Sequence, residues 1–232
     1  MNLVIMQPYL FPYLGYVQLM QVADTFVIYD DAQFMKGGWI NRNRIVGQNG
    51  PQFITLNLEG ASANKAINEV RVGKNAGKLC KTIEQTYAQA AFKHEAMAYV
   101  TASLMVAEQN LARLAGNALI DLASRLNLPT KFVWSSELGR DTSLSAQEAV
   151  LDICGQMGAS HYINAEGGKD LYSAADFHSA GLKLSFLHHE PVPYPQVKTA
   201  GVFEPRLSVV DTIMNVGFEG LRDKLSEFRL EA

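Results

Sequence analysis

Short apolar runs separated by polar breaks recur along the chain, and their boundaries sort them into strands and helices. Residues 3–6 form a continuous apolar run that stops at Gln7-Pro8. This predicts a buried strand, because proline has no N–H to extend a ladder. Over residues 13–22, Leu14, Val17, Leu19, Met20 and Val22 recur at mostly helical spacing, which predicts a helix. Thr25-Phe26-Val27-Ile28-Tyr29 is rich in β-formers and ends at Asp30-Asp31. Strand, helix and strand within about thirty residues is the length of a βαβ unit.

Residues 41–46 and 52–58 flank Gly47-Gln48-Asn49-Gly50-Pro51, and the Asn-Gly step predicts a β-hairpin. From residue 76 to 125 the chain has no proline and is rich in Ala, Leu, Glu, Gln and Lys. Two or three successive helices are expected there, as a helical subdomain at 75–127 or as one side of a sheet. Alternation then resumes with a strand at 131–134 ending in Ser135-Ser136. A helix is expected at 143–157, with Ser145 and Glu148 at capping-box spacing. A strand at 161–164 leads into Glu166-Gly167-Gly168 and a helix from Asp170. Another strand covers 182–187, and helices begin near Leu207 and Glu219. The expected fold is α/β: a mostly parallel sheet with flanking helices, an inserted β-hairpin and a helical segment in the middle. Residues 1–232 are expected to form a single domain.

Composition narrows the class of protein. At 232 residues, with 48% hydrophobic and 19% charged positions, the chain is long enough to bury a substantial core. Its 20 Lys and Arg against 23 Asp and Glu leave a formal net charge of −3, so no basic field exists to attract nucleic acid. Cys80 and Cys154 show neither a disulfide framework nor a metal-ligand spacing, and no metal is expected. The initial apolar run is too short for a signal peptide, and no segment reaches the roughly 20 apolar residues needed to span a bilayer. The expected compartment is the cytoplasm.

Four expected strands end in polar or glycine clusters: Gln7, Asp30-Asp31, Ser135-Ser136 and Glu166-Gly167-Gly168. Open parallel sheets bind ligands outside the carboxyl ends of their strands, so these clusters are expected to line one pocket. The alternative is that they are ordinary turns and caps, which favour the same residues. Gln7-Pro8-Tyr9-Leu10-Phe11-Pro12-Tyr13-Leu14-Gly15-Tyr16 has the most unusual local composition. Tyr9, Tyr13 and Tyr16 offer flat faces with hydroxyl tips, suited to a sugar or a base, or to a packed lid. One of Asp30 and Asp31 can serve as a base or bind a cation, or the pair can cap a turn. In Trp39-Ile40-Asn41-Arg42-Asn43-Arg44, alternation places Asn41 and Asn43 on one strand face and Arg42 and Arg44 on the other. The arginines then form an anion clamp, or a solvated hairpin face. Lys36, Arg42 and Arg44 concentrate positive charge just after the two aspartates. The Gly167 and Gly168 N–H groups can face an oxyanion, or simply turn the chain. His188-His189-Glu190 does not read as a metal site, because neighbours on a strand point apart. No Walker A loop or Gly-x-Gly-x-x-Gly fingerprint is present.

These segments, with Tyr29-Asp30-Asp31-Ala32-Gln33-Phe34, Ser135-Ser136-Glu137-Leu138, Gly167-Gly168 with Tyr172, Tyr194-Pro195-Gln196 and Leu207-Ser208-Val209-Val210-Asp211, resemble the WbqC-like protein family along almost the whole chain. The resemblance implies a role in O-antigen or other surface polysaccharide biosynthesis, as an acyl- or aminoacyl-transferase acting on an amino sugar. The expected partner is a small molecule, a nucleotide sugar or an acyl donor, and the cofactor is left open. Asp30 or Asp31 would be the base. Gly167 and Gly168, with Ser135 or Ser136, would meet the oxyanion, and Arg42 with Arg44 the diphosphate. Tyr9, Tyr13 and Trp39 would stack, and Gln7, Gln33, Asn41, Asn43 and Tyr172 complete the substrate-binding set. Two other readings stand beside this one: an ATP-using ligase or nucleotidyltransferase without the usual His-x-Gly-His motif, and a non-catalytic binding protein of glycan assembly.

Overall fold

The computed structural model describes residues 1–232 apart from Thr142, Ser145 and Ala200. The capping box expected at Ser145 therefore lies outside the described residues. β1 (Asn2–Met6), α1 (Leu14–Val22) and β2 (Thr25–Ile28) form the expected βαβ unit, with Leu3 opposite Thr25 and Met6 opposite Ile28 in a parallel ladder. β3 (Arg42–Ile45) and β4 (Gln52–Thr55) make the antiparallel hairpin. A second pair, β5 (Leu58–Glu59) and β6 (Arg71–Val72), escapes the sequence pattern because two residues carry no periodicity. α2 (Ala76–Thr86), α3 (Lys93–Leu104) and α4 (Leu111–Arg125) are the three successive helices. The chain continues through β7 (Lys131–Trp134), α5 (Ala146–Gln156), β8 (His161–Ala165), α6 (Ala174–Ser179), β9 (Lys183–His189), α7 (Val209–Asp223) and β10 (Phe228–Glu231).

One helical expectation changes. The helix expected from Asp170 is a 3-10 segment over Glu166–Leu171 followed by the short α6, consistent with the poor helix propensity of Gly167-Gly168. The two helices expected near Leu207 and Glu219 are both present: they make up the span α7, and the non-helical Gly217, with φ 72° and ψ 179°, separates them. A Cβ on Gly217 would lie 2.8 Å from Cδ1 of Phe92, so this position needs glycine for its backbone and for its space.

The main sheet has the order β10-β9-β8-β1-β2-β7, and every pairing is parallel except that of β10 with β9. Strand alternation divides its apolar residues between two faces. Val4, Phe26, Ile28 and Ile163 pack with Tyr16 and Leu19 of α1 and Leu119 of α4. Leu3, Ile5, Val27 and Tyr162 pack with Val150 and Ile153 of α5 and Phe177 of α6. A third core joins Ile83, Tyr99, Ile213 and Phe218 of the helices to Ile45 and Ile54 of the hairpin. Leu10, Phe11 and Leu14 belong to it too, so the helical segment shares its interior with the start of the chain.

That meeting point is the loop after β1. Phe11 is fully buried with φ 49°, a left-handed conformation that costs a non-glycine residue energy unless its surroundings hold it. Its carbonyl accepts from Asn43 Nδ2 at 2.8 Å and from Ser208 Oγ at 2.7 Å. Backbone bonds from Leu10 N to the Ile40 carbonyl, Ser208 N to the Arg44 carbonyl and Val209 N to the Pro12 carbonyl complete the clasp. A neighbouring buried cluster anchors the long segment before α7. Asp211 accepts from the Tyr87 hydroxyl, from the Tyr194 hydroxyl at 2.8 Å and from Gln196 Nε2 at 2.9 Å. Burial pushes the Asp211 carboxyl above the usual range, and these donors partly offset the effect. Among the described residues, no helix is long and apolar enough to cross a membrane.

Gly217→Ala tests the interrupted helix. It should lower stability by about 1–3 kcal/mol for the backbone conformation, with the Phe92 clash added, and the urea unfolding midpoint will report the loss.

Candidate functional site

Strand order locates the site. From β1 the sheet grows in one direction through β2 to β7, and in the other through β8 and β9 to β10, so the switch point lies between β1 and β8. Their carboxyl ends diverge into connections that leave in opposite directions, opening a crevice. A cavity of about 340 Å³ lies there, within the range of small-molecule sites. Tyr9 and Tyr13 reach it from the loop after β1, Glu166 and Gly167 from the end of β8, and Leu187 and His189 from the end of β9. The hairpin arm adds Trp39, Asn43 and Arg44, and the segment before α7 adds Arg206.

One side of the cavity is aromatic. Tyr9 packs on Tyr16 with ring centroids 5.3 Å apart, and Tyr13 stands edge-on to His189 at 5.8 Å. Burial pushes both tyrosine hydroxyls up, so both remain protonated donors at neutral pH. Trp39 is 39% exposed and stacks on Phe53 at 6.2 Å. Gly15 makes this wall possible: a Cβ there would come within 2.4 Å of the Tyr13 ring and 2.9 Å of His189 Cβ.

The opposite chemistry is cationic. Arg44 and Arg206 form no ion pair and no side-chain hydrogen bond among the described residues. Arg44 Nε is buried without a partner, an arrangement that proteins generally avoid unless a ligand or water completes it. Arg206 sits at φ 57°, a second left-handed residue next to the site. His189 is 8% exposed, and burial, then Arg206, then His188, lower its pKa to about 4. The imidazole is therefore neutral at physiological pH. His188 turns the other way, with Nδ1 2.9 Å from a Glu166 carboxylate oxygen, a close approach that lacks the geometry of a hydrogen bond.

The expected site residues divide into two groups. Tyr9, Tyr13, Trp39, Asn43, Arg44 and Gly167 line the cavity. Asp30, Asp31, Ser135 and Ser136 do not, because β2 and β7 are neighbours on the far side of β1 and their ends close on each other. Asp30 is fully buried and accepts from Ser135 Oγ at 3.0 Å, Ser136 N at 3.0 Å and Ser136 Oγ at 2.7 Å. Asp31 shares the single Ser135 hydroxyl hydrogen with Asp30 and pairs with Arg140 at 2.8 Å, the Asp31 and Arg140 side chains being 13% and 6% exposed. Arg42 leaves Arg44 and folds back on the turn before it, donating to the Gly37 and Gly38 carbonyls and lying 4.7 Å from the Phe53 ring centroid. Asn41 donates to the Leu56 carbonyl and Gln33 to the Ala63 carbonyl. Gly168 is buried against Asn164, whose Nδ2 donates to the Tyr172 hydroxyl at 3.2 Å. The Gln7 carbonyl accepts from the Tyr16 hydroxyl at 2.7 Å.

The sequence profile of the WbqC-like protein family matches residues 7–223, from the loop after β1 to the end of α7. The chain belongs to the WbqC-like protein family. It is similar to a protein of Mycobacterium tuberculosis (strain ATCC 25618 / H37Rv) named "Uncharacterized protein Rv1507c". The two are 29% identical over 223 residues, which is 93% of this chain and 94% of that one. No solved structure matches the chain.

Leu187, His189 and Arg206 of this WbqC-like protein line the cavity outside the expected site set, His189 standing out in the sequence only within the His188-His189-Glu190 trio. Arg206 lies in an irregular segment with no local pattern, beside the Leu207–Asp211 motif that fixes it. His189 had a signal: the terminal position of a strand whose neighbours' ends carry the other lining residues.

The lowered His189 pKa predicts a pH dependence. The unfolded chain takes up this proton near pH 6.5 and the folded chain near 4, so the contribution is full above about 6.5 and is lost as pH falls toward 4. Urea midpoints measured across that window should fall more steeply for the wild type than for His189→Gln.

Proposed function

We propose that this WbqC-like protein transfers an acyl or aminoacyl group onto the amine of an amino sugar carried on a nucleoside diphosphate, in O-antigen or other surface polysaccharide biosynthesis. The reading rests on one observation above the others. Two guanidiniums without anionic partners among the described residues, Arg44 and Arg206, line a cavity with an aromatic wall at the switch point of the sheet. Planar guanidinium groups can donate two N–H groups at once to the oxygens of a diphosphate, and removing Arg44 Nε from water without a partner favours an anionic occupant. Tyr9, Tyr13 and Trp39 supply flat faces for a sugar or a base, and protonated hydroxyls for its acceptors. Gly167 brings backbone close to the same space, where an N–H can meet the developing oxyanion.

In this reading Asp30, Asp31, Ser135 and Ser136 are positioning residues that brace the β2 and β7 ends. Asn43 holds both the Phe11 clasp and the neighbouring Arg44, whose backbone N donates to Asn43 Oδ1 at 2.8 Å. The reading places the protein in the cytoplasm.

Thermal-shift screening with UDP-linked amino sugars, acyl-CoA and ATP will test the assignment. A UDP-amino sugar should raise Tm, and Arg44→Ala and Arg206→Ala should each weaken its binding tenfold or more, about 1.4 kcal/mol. Stabilisation by ATP with magnesium, and by no sugar nucleotide, would move the protein to the ligase or nucleotidyltransferase class. No response to any of the three would remove the transferase reading.

A further inference from the structure

A buried polar pair beside the cavity is not explained by anion binding. Gln18 lies in the middle of α1 and is fully buried, on a helix whose other inward residues are mostly apolar. An amide in such a place must satisfy its hydrogen-bonding groups internally. Gln18 Nε2 donates both its hydrogens to backbone carbonyls past the end of α7, those of Lys224 at 3.1 Å and Glu227 at 2.9 Å. The reverse orientation would place the amide oxygen against two carbonyl oxygens, so the amide has one sense only. Its Oε1 then faces His189 Nδ1 at 2.8 Å. An amide oxygen only accepts, so Nδ1 carries the hydrogen and, in the neutral ring, Nε2 carries the lone pair. Nε2 has no hydrogen-bond partner among the described residues, and because His189 lines the cavity it is the ring nitrogen free to accept from a ligand.

We infer that His189 is the general base of this cavity, acting through Nε2, and that Gln18 is the residue that positions it by fixing its tautomer. The inference rests on the transferase reading and adds the proton path. The amine nitrogen of the acceptor attacks the carbonyl carbon of an acyl thioester, forming the C–N bond. The C–S bond breaks, and sulfur leaves with its electron pair. The proton lost by the amine passes to His189 Nε2, giving an imidazolium that keeps its Nδ1–H bond to Gln18, and the leaving thiolate then takes that proton.

The charged and titratable groups around the ring give the base a condition. Arg206 and His188 oppose its protonation, Glu166 lies against His188, and Tyr13 presents a neutral ring edge. An anion bound to Arg206 offsets the opposing guanidinium charge, so His189 becomes a stronger base when the diphosphate is in place. The proton acceptor is thereby tied to occupancy of the anion site.

Long-range ¹H–¹⁵N NMR of the imidazoles in the full chain tests this with inorganic pyrophosphate as probe. The free protein should show His189 with its hydrogen on Nδ1. Saturating pyrophosphate should raise the pH at which His189 titrates. In Arg206→Ala that titration should already sit higher, and pyrophosphate should shift it less. Calorimetry on the same samples separates the two readings. If pyrophosphate does not bind, the anion site and this inference both fail. If it binds while the His189 titration does not move, or if the hydrogen sits on Nε2, the base assignment alone fails. Gln18→Met should leave a mixture of tautomers, and the wild-type measurement decides the assignment if that variant does not fold.

Discussion

A single carbonyl, that of Phe11, receives the side chains of Asn43 and Ser208 and so joins three segments that are far apart in sequence. Every cationic group in the cavity depends on this junction. Arg44 follows Asn43, Arg206 precedes Ser208, and the aromatic wall flanks Phe11 itself. The left-handed backbone at Phe11 turns its carbonyl toward both donors, and the hydrogen bonds in turn stabilise that conformation. The parallel sheet supplies the floor, but the walls are set by this clasp and by the buried Asp211 cluster behind it.

How far the sequence discloses this arrangement depends on the range of the interactions involved. β1, α1 and β2 are legible because apolar runs end at Pro8 and at Asp30, and the hairpin because Asn49-Gly50 favours the turn. β10 is not, since Phe228-Arg229-Leu230-Glu231 is short and no turn signal marks it. Trp39, Asn43 and Arg44 stand out in the sequence by residue type and strand alternation and lie in the cavity, whereas Arg42 has the same chemistry and bends back onto Gly37 and Gly38. Only the local turn decides between the two arginines. The separation of Asp30 from Gly167 has a different origin. Both stand at strand ends, and which ends face one another follows from strand order, which a single sequence does not encode in any local pattern.

Net charge illustrates the same separation of scales. The chain carries −3 overall, yet its cavity gathers unpaired guanidiniums while its buried carboxylates are occupied by serine, tyrosine, glutamine and arginine donors. Long-range attraction for anions is weak, so selection for a negatively charged ligand falls to contact distance, where desolvated hydrogen bonds discriminate better than a diffuse field.

The last strand has a bearing on solubility. β9 is the longest strand of the sheet and largely buried, and without β10 its outer N–H and C=O groups would form a straight, mostly apolar margin open to any extended chain. β10 covers that margin with four residues, and its charges are tied sideways, Arg229 to Glu190 and Glu231 to Lys169. A short, charged border leaves little for a second molecule to zip onto. The fold thus ends its growing side with a strand whose weak hydrophobic signature is itself the protection against self-association.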